Sequence, residues 1–174
     1  MKRKLVGAVC LVALLLTVSS FGQHVGRHSE ADNVKKALEQ ADLKDVNVSD
    51  DVDKNTITLR GTLHSEDAKQ RAGSIARSAA ANRVIANEIS VQPVGSESRA
   101  RAVASNLDDG IENNYKAALI SKRLDSLSIH YKAKNGVLVL TGQVKNAEQR
   151  QTAAQLASKV PNVRQVVNQL EVHP

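Results

Sequence analysis

Three groups of residues in this 174-residue chain have types and spacings that could do chemistry. His24 and His28 stand four apart, which would put two imidazoles on one helical face toward a metal. No acidic ligand accompanies them, and the expectation is a loose polar tail. Asp50, Asp51 and Asp53 crowd a turn as calcium ligands do. The glycine and distal glutamate of a calcium loop are missing, so a solvated hairpin turn is expected. Asp108-Asp109 is a carboxylate pair of the kind used in acid–base work, but a helix cap explains it more simply. His64, His130 and His173 are scattered, and no serine sits in a strand–elbow–helix context. Gly61 and Gly142 lack the further glycines and the lysine of a phosphate loop, so they are read as backbone devices at strand ends. The reading is a non-enzymatic chain without cofactor or metal site.

The elements behind these residues are organised around Asn135-Gly136-Val137-Leu138-Val139-Leu140-Thr141-Gly142, a turn, a buried strand and a break. Asn55 to Gly61 is a weaker copy 81 residues earlier. The same offset pairs Leu38 with Leu119, Leu43 with Leu124, Ala72 with Ala153, Asn87 with Asn168 and Pro93 with Pro174, with no gap. The chain is a duplicated module of about 60 residues, near the lower limit for one unstapled core. In the first copy Ser29 opens a helix with a capping-box pattern, Val46 and Val48 alternate in a strand, and Ile57 and Leu59 face inward from a second strand. Ser65 caps a helix with Ala68, Ala72, Ile75, Ala76 and Ala79 on one face, and Ile85 to Val91 closes the module as a third strand. The second copy starts with a helix capped at Asp109-Gly110 that carries Ile111, Tyr115 and Leu119. Leu127, Ile129 and Tyr131 then alternate in a strand, Asn146 caps the next helix, and Val166 to Val172 is the last strand.

The fold class is α+β: two tandem αββαβ modules, each a three-stranded mixed sheet covered by two helices. The organisation is a signal peptide at 1–22, module one at 29–93, a linker at 94–109 and module two at 110–174. The signal rests on Lys2, Arg3 and Lys4, the apolar run Leu5 to Val18, and Ser20-Phe21-Gly22 before Gln23. Export to a bacterial periplasm is implied. Cys10, the sole cysteine, follows Val9 where a lipoprotein needs a small residue, and it leaves the mature chain without a disulfide.

The second copy carries a family pattern: Gly136 through Val144, then Glu148, Arg150, Ala153, Ala157, Val163, Val166, Asn168, Leu170 and Val172. It resembles the BON domain of osmotically inducible periplasmic proteins of the OsmY type. In the first copy Thr56 replaces the usual apolar residue after the turn, and Ala80 to Asn82 lack the second copy's Pro-Asn-Val. The resemblance implies an αββαβ fold, no catalysis, and roles in envelope stress, phospholipid binding or periplasmic chaperoning.

Charge separates the copies. Residues 23–93 hold ten basic and eleven acidic side chains, whereas residues 110–174 hold nine and four. A basic second module on a chain of net charge +6 suggests an anionic partner. Lys116, Ile120 and Arg123 fall at i, i+4 and i+7 with Lys122 beside them, where module one has Lys35, Glu39, Asp42 and Ala41. A basic face with an exposed aliphatic residue suits an anionic phospholipid surface, and the alternative is a solvated helix face with one stray isoleucine. Nucleic acid is not expected for an exported chain with 2% aromatic residues. The second functional reading is a soluble periplasmic chaperone for unfolded envelope proteins. Val137 and Val139 point away from the helix-covered face, where module one has Thr56 and Thr58, which suit water. They are read as a docking face for module one, the linker or a second copy, against β propensity alone. Gly73, inside the helix of module one where module two has Ala154, is read as a local weakness.

Overall fold

A computed structural model describes residues 29–173. The expected signal peptide, Cys10, His24 and His28 lie outside the described residues. Module one contains α1 (Glu30–Gln40), β1 (Val46–Asp51), β2 (Thr56–Leu63), α2 (Glu66–Ala79), β3 (Val84–Asn87) and β4 (Ser90–Val91). Next come α3 (Glu97–Ser121), β5 (Ile129–Lys134), β6 (Val137–Val144), α4 (Ala147–Ser158) and β7 (Gln165–Val172). In each half the first two strands pair antiparallel, and the crossover strand runs parallel to the central one. β3 and β4 are two pieces of one strand, because Leu59 opposite Asn87 and Thr62 opposite Ser90 keep a single register.

The caps form where side-chain oxygens can reach the free N–H groups of a first turn. Ser29 and Asp32 make a reciprocal capping box on α1, Ser65 accepts from Ala68 N, and Asn146 accepts from Gln149 N. Two separate cores result. Val34, Leu38, Ile57, Leu59, Ala72 and Ala76 belong to one, and Ile111, Tyr115, Leu138, Leu140, Ala153 and Ala157 to the other. Asn87 Nδ2 donates to Lys69 O at 2.8 Å, and Asn168 Nδ2 to Arg150 O at 3.3 Å, so each asparagine ties its crossover helix to the last strand.

The structure departs from the sequence reading in three places. The repeat is gapless in sequence but not in space. Val46 faces Gly61, whereas Ile129 faces Gly142, so the first strands correspond at an offset of 83 rather than 81. Module one turns its hairpin through Val52 to Asn55, and module two through Asn135-Gly136 alone, with φ +49° and +82°. Two positive φ angles at a two-residue turn suit the twist of the flanking strands. The two residues saved there reappear between α3 and β5, which hides the exchange from an ungapped comparison.

The expected linker is mostly helix, and no cap forms at Asp109. α3 runs unbroken from Glu97 through Gly110 to Ser121. A mid-helix glycine costs only about 1 kcal/mol relative to alanine, which packing of Ile111, Tyr115 and Leu119 readily outweighs. Thr56 does not face water: it is buried, and its Oγ1 accepts from Gln169 Nε2 of module two at 2.9 Å.

Val137 is 2% exposed and clusters with Val167 and with Ala86 of module one, while Val139 is partly buried against them. Replacing Val137 and Val139 together by threonine puts hydroxyls into this small apolar joint. The double variant is expected to lose roughly 2 kcal/mol by urea titration and to change the relative orientation of the modules in solution scattering. Unchanged stability and scattering would show that the face carries no docking energy.

Candidate functional site

The last turns of α3 carry Lys116 and Ile120, and Lys122 and Arg123 follow in the turn that ends the helix. The helix buries Ile111, Tyr115 and Leu119 on its inner face, and the Tyr115 hydroxyl donates to Ala153 O at 3.2 Å. The outer face therefore turns Lys116 and Ile120 to solvent. Lys122 N and Leu124 N both donate to Leu119 O, and Arg123 takes φ +57°, so the chain reverses and returns Leu124 to the core. Ile120 is 51% exposed beside these cations. Among the described residues, no carboxylate forms an ion pair with Lys116, Lys122 or Arg123. Cations also complement the negative end of the helix dipole, which by itself accounts for some of this placement. The matching end of α1 carries Glu39 and Asp42 instead, and Asp42 pairs with Lys44 at 3.8 Å.

Val137 and Val139 lie elsewhere, at the joint between modules. Sequence reasoning missed the polar side chains that surround them. The Asn135 side chain donates to Glu88 O at 2.7 Å, and the backbone carbonyl of Asn135 accepts from Lys69 Nζ at 3.1 Å. Asp108, on α3, accepts from Asn135 N at 2.7 Å and Gly136 N at 3.0 Å, capping the hairpin turn from outside. Gln165 donates to Ile85 O at 2.5 Å and accepts from Asn87 N at 3.3 Å, so one side-chain amide occupies the open edge of β3 as a strand would. Arg164 reaches Glu66 of module one at 2.8 Å. Its counterpart Arg83 works inside module one, holding Glu30, Asp50, Asp51 O and Thr56 O. Ile111 stands where Glu30 would be, which leaves Arg164 available for the other module. The usable signal was the pair Gln165 and Gln169, which share a face of β7 with the apolar Val167.

Lys69 is 6% exposed, and burial pushes its ammonium below the ordinary lysine value against the opposing pull of Glu66. Of the aspartates in the first hairpin, Asp50 is committed to Arg83 and Asp51 to Lys54 N. Among the described residues no group of histidine, cysteine, aspartate or glutamate is placed to hold a metal, and no helix is long and apolar enough to cross a membrane.

The family model for the BON domain matches residues 31–93 and 107–174. The chain belongs to the BON-domain family. The two BON domains coincide with the two αββαβ halves, and the second match begins inside α3, just before the core residue Ile111. Membership supports a non-catalytic, envelope-associated binding domain. Two solved structures of CdsD, a structural protein of the type III secretion system of Chlamydia trachomatis, are similar at 13% and 12% identity. They cover 82% of this chain and 96% and 91% of their own, with TM-scores of 0.35 and 0.36. At those scores the likeness carries no argument about this chain. No curated protein matches it.

Proposed function

We propose that this two-BON protein is exported to the bacterial periplasm and binds anionic phospholipid through the end of α3 in its second module, in support of envelope integrity under stress. The observation that carries the reading is Ile120, exposed at a helix end among three cations without carboxylate partners among the described residues. Such a surface gains from an interface in two ways. The isoleucine leaves water, and each basic side chain near an anionic leaflet contributes about 1 kcal/mol that salt screens. In this reading no bond is made or broken, which is in keeping with a family of generally non-catalytic binding domains.

The test is co-sedimentation with vesicles of anionic or zwitterionic phospholipid. Binding to the anionic vesicles alone, weakened at high salt and reduced at least tenfold by Lys122→Glu with Arg123→Glu, is expected. Equal binding to both vesicle types would contradict the reading. Suppression of aggregation of a denatured client with no vesicle binding would favour a soluble chaperone instead.

A further inference from the structure

A groove of about 480 Å³ lies between the modules, separate from the end of α3. Its apolar wall is built by Val91, Val103, Leu107, Ile111 and Val163. This size falls within the roughly 300–1,000 Å³ of small-ligand pockets. Val103 and Leu107 are exposed to it, although they sit on a helix whose other large aliphatic residues are buried, Ile120 apart.

The charged groups of the groove are not balanced in their contacts. Glu66 is engaged by Arg164, and Asp108 is engaged by the two backbone N–H groups of the hairpin turn. Lys69, nine-tenths buried, lines the same space. Its nitrogen makes one hydrogen bond, to a neutral carbonyl, and among the described residues no carboxylate pairs with it. Glu66 and Asp108 act on it only from a distance, each held by other partners. A buried ammonium with no carboxylate in direct contact is costly, and an anionic ligand group beside it would offset that cost. Arg99 stands at the exposed rim and adds a second positive charge to the entrance.

We propose that this groove binds a single-chain anionic amphiphile, with its chain on the wall of Val91, Val103, Leu107 and Val163 and its head group on Lys69. A long-chain carboxylate and an alkyl phosphate share this chemistry. The binding differs from membrane contact in residues and stoichiometry: one molecule enters one cleft, without a bilayer.

Titration calorimetry on the full chain, with ligands kept below micelle-forming concentrations, tests the assignment. Dodecanoate and dodecyl phosphate are expected to bind once per chain, at least tenfold more tightly than dodecanol, while acetate and inorganic phosphate do not bind. Lys69→Met should remove the advantage of the charged head and leave dodecanol binding unchanged. Ala100→Trp, on the groove side of α3, should block all three dodecyl ligands and is informative even where Lys69→Met fails to fold. Equal affinity for dodecanoate and dodecanol would overturn the proposal. So would equal loss of both in Lys69→Met, which would mark the lysine as purely structural. A concentration-dependent dimer abolished by Ala100→Trp, with no dodecanoate bound, would assign the groove to a second copy and also overturn it.

Discussion

Gly142→Ala is expected to lower the stability of the second BON domain by about 4 kcal/mol, a large share of the roughly 5–15 kcal/mol that holds a small domain folded. Gly142 takes φ +105°, and an added Cβ would lie 2.0 Å from Ser128 O and 3.1 Å from its carbon. Both obstacles are backbone, so no rotamer change relieves them. The same Ser128 carbonyl accepts from Gln143 N at 3.0 Å, and pushing it away opens the mouth of the hairpin. Backbone strain of about 1–3 kcal/mol at the positive φ adds to the overlap. Gly61 has the same arrangement with Asp45 O at 2.2 Å, so the device recurs in both domains. Gly110→Ala is the control, since a Cβ there meets nothing within 4 Å inside α3, and a gain of about 0.5–1 kcal/mol is expected. Urea midpoints decide it, and a Gly142→Ala loss below about 1 kcal/mol would refute the steric account.

Asp108→Ala is expected to cost about 3 kcal/mol. Asp108 is 8% exposed, and its carboxylate oxygens serve Asn135 N and Gly136 N separately. Alanine strands two backbone donors at the joint, each worth about 1–3 kcal/mol when unsatisfied. The effect spreads because Asn135 also holds Glu88 O and accepts from Lys69, so loosening the turn loosens the contact between domains. Asp108→Asn keeps one acceptor oxygen and should lose about half as much. Amide exchange reads the result directly: Asn135 and Gly136 N–H should lose protection first in Asp108→Ala. Protection unchanged at both would show that the turn stands without its cap.

The distinction between what was and was not legible in the chain follows from how local each feature is. Ser29, Ser65 and Asn146 cap through neighbours three residues away, so their roles can be read in place. Leu138 and Leu140 face inward by strand alternation, and Ile120 faces outward by helical period. The continuous α3 was hidden because Gly110 looks like a break, and only the packing on either side of it shows otherwise. Gly73 looked like a helix weakness, yet a Cβ there would approach Asn87 Nδ2 to 2.7 Å, so the glycine lets the strand's asparagine reach Lys69 O. Where Ala154 replaces it, the matching bond from Asn168 is longer. The polar joint was least visible: Asp108, Asn135 and Gln165 bond to partners from 27 to 80 residues distant, and no periodicity records such pairs.

The most direct test of the membrane reading places an environment-sensitive fluorophore next to Ile120, on a cysteine substituted for the exposed Ser121 in a Cys10→Ser background, with the equivalent Gln40 of module one labelled as the control. On addition of anionic vesicles, a blue shift at position 121 and none at position 40, reversed by salt, is the predicted result. No shift at 121, or an equal shift at both positions, would contradict the assignment of the lipid surface to the end of α3.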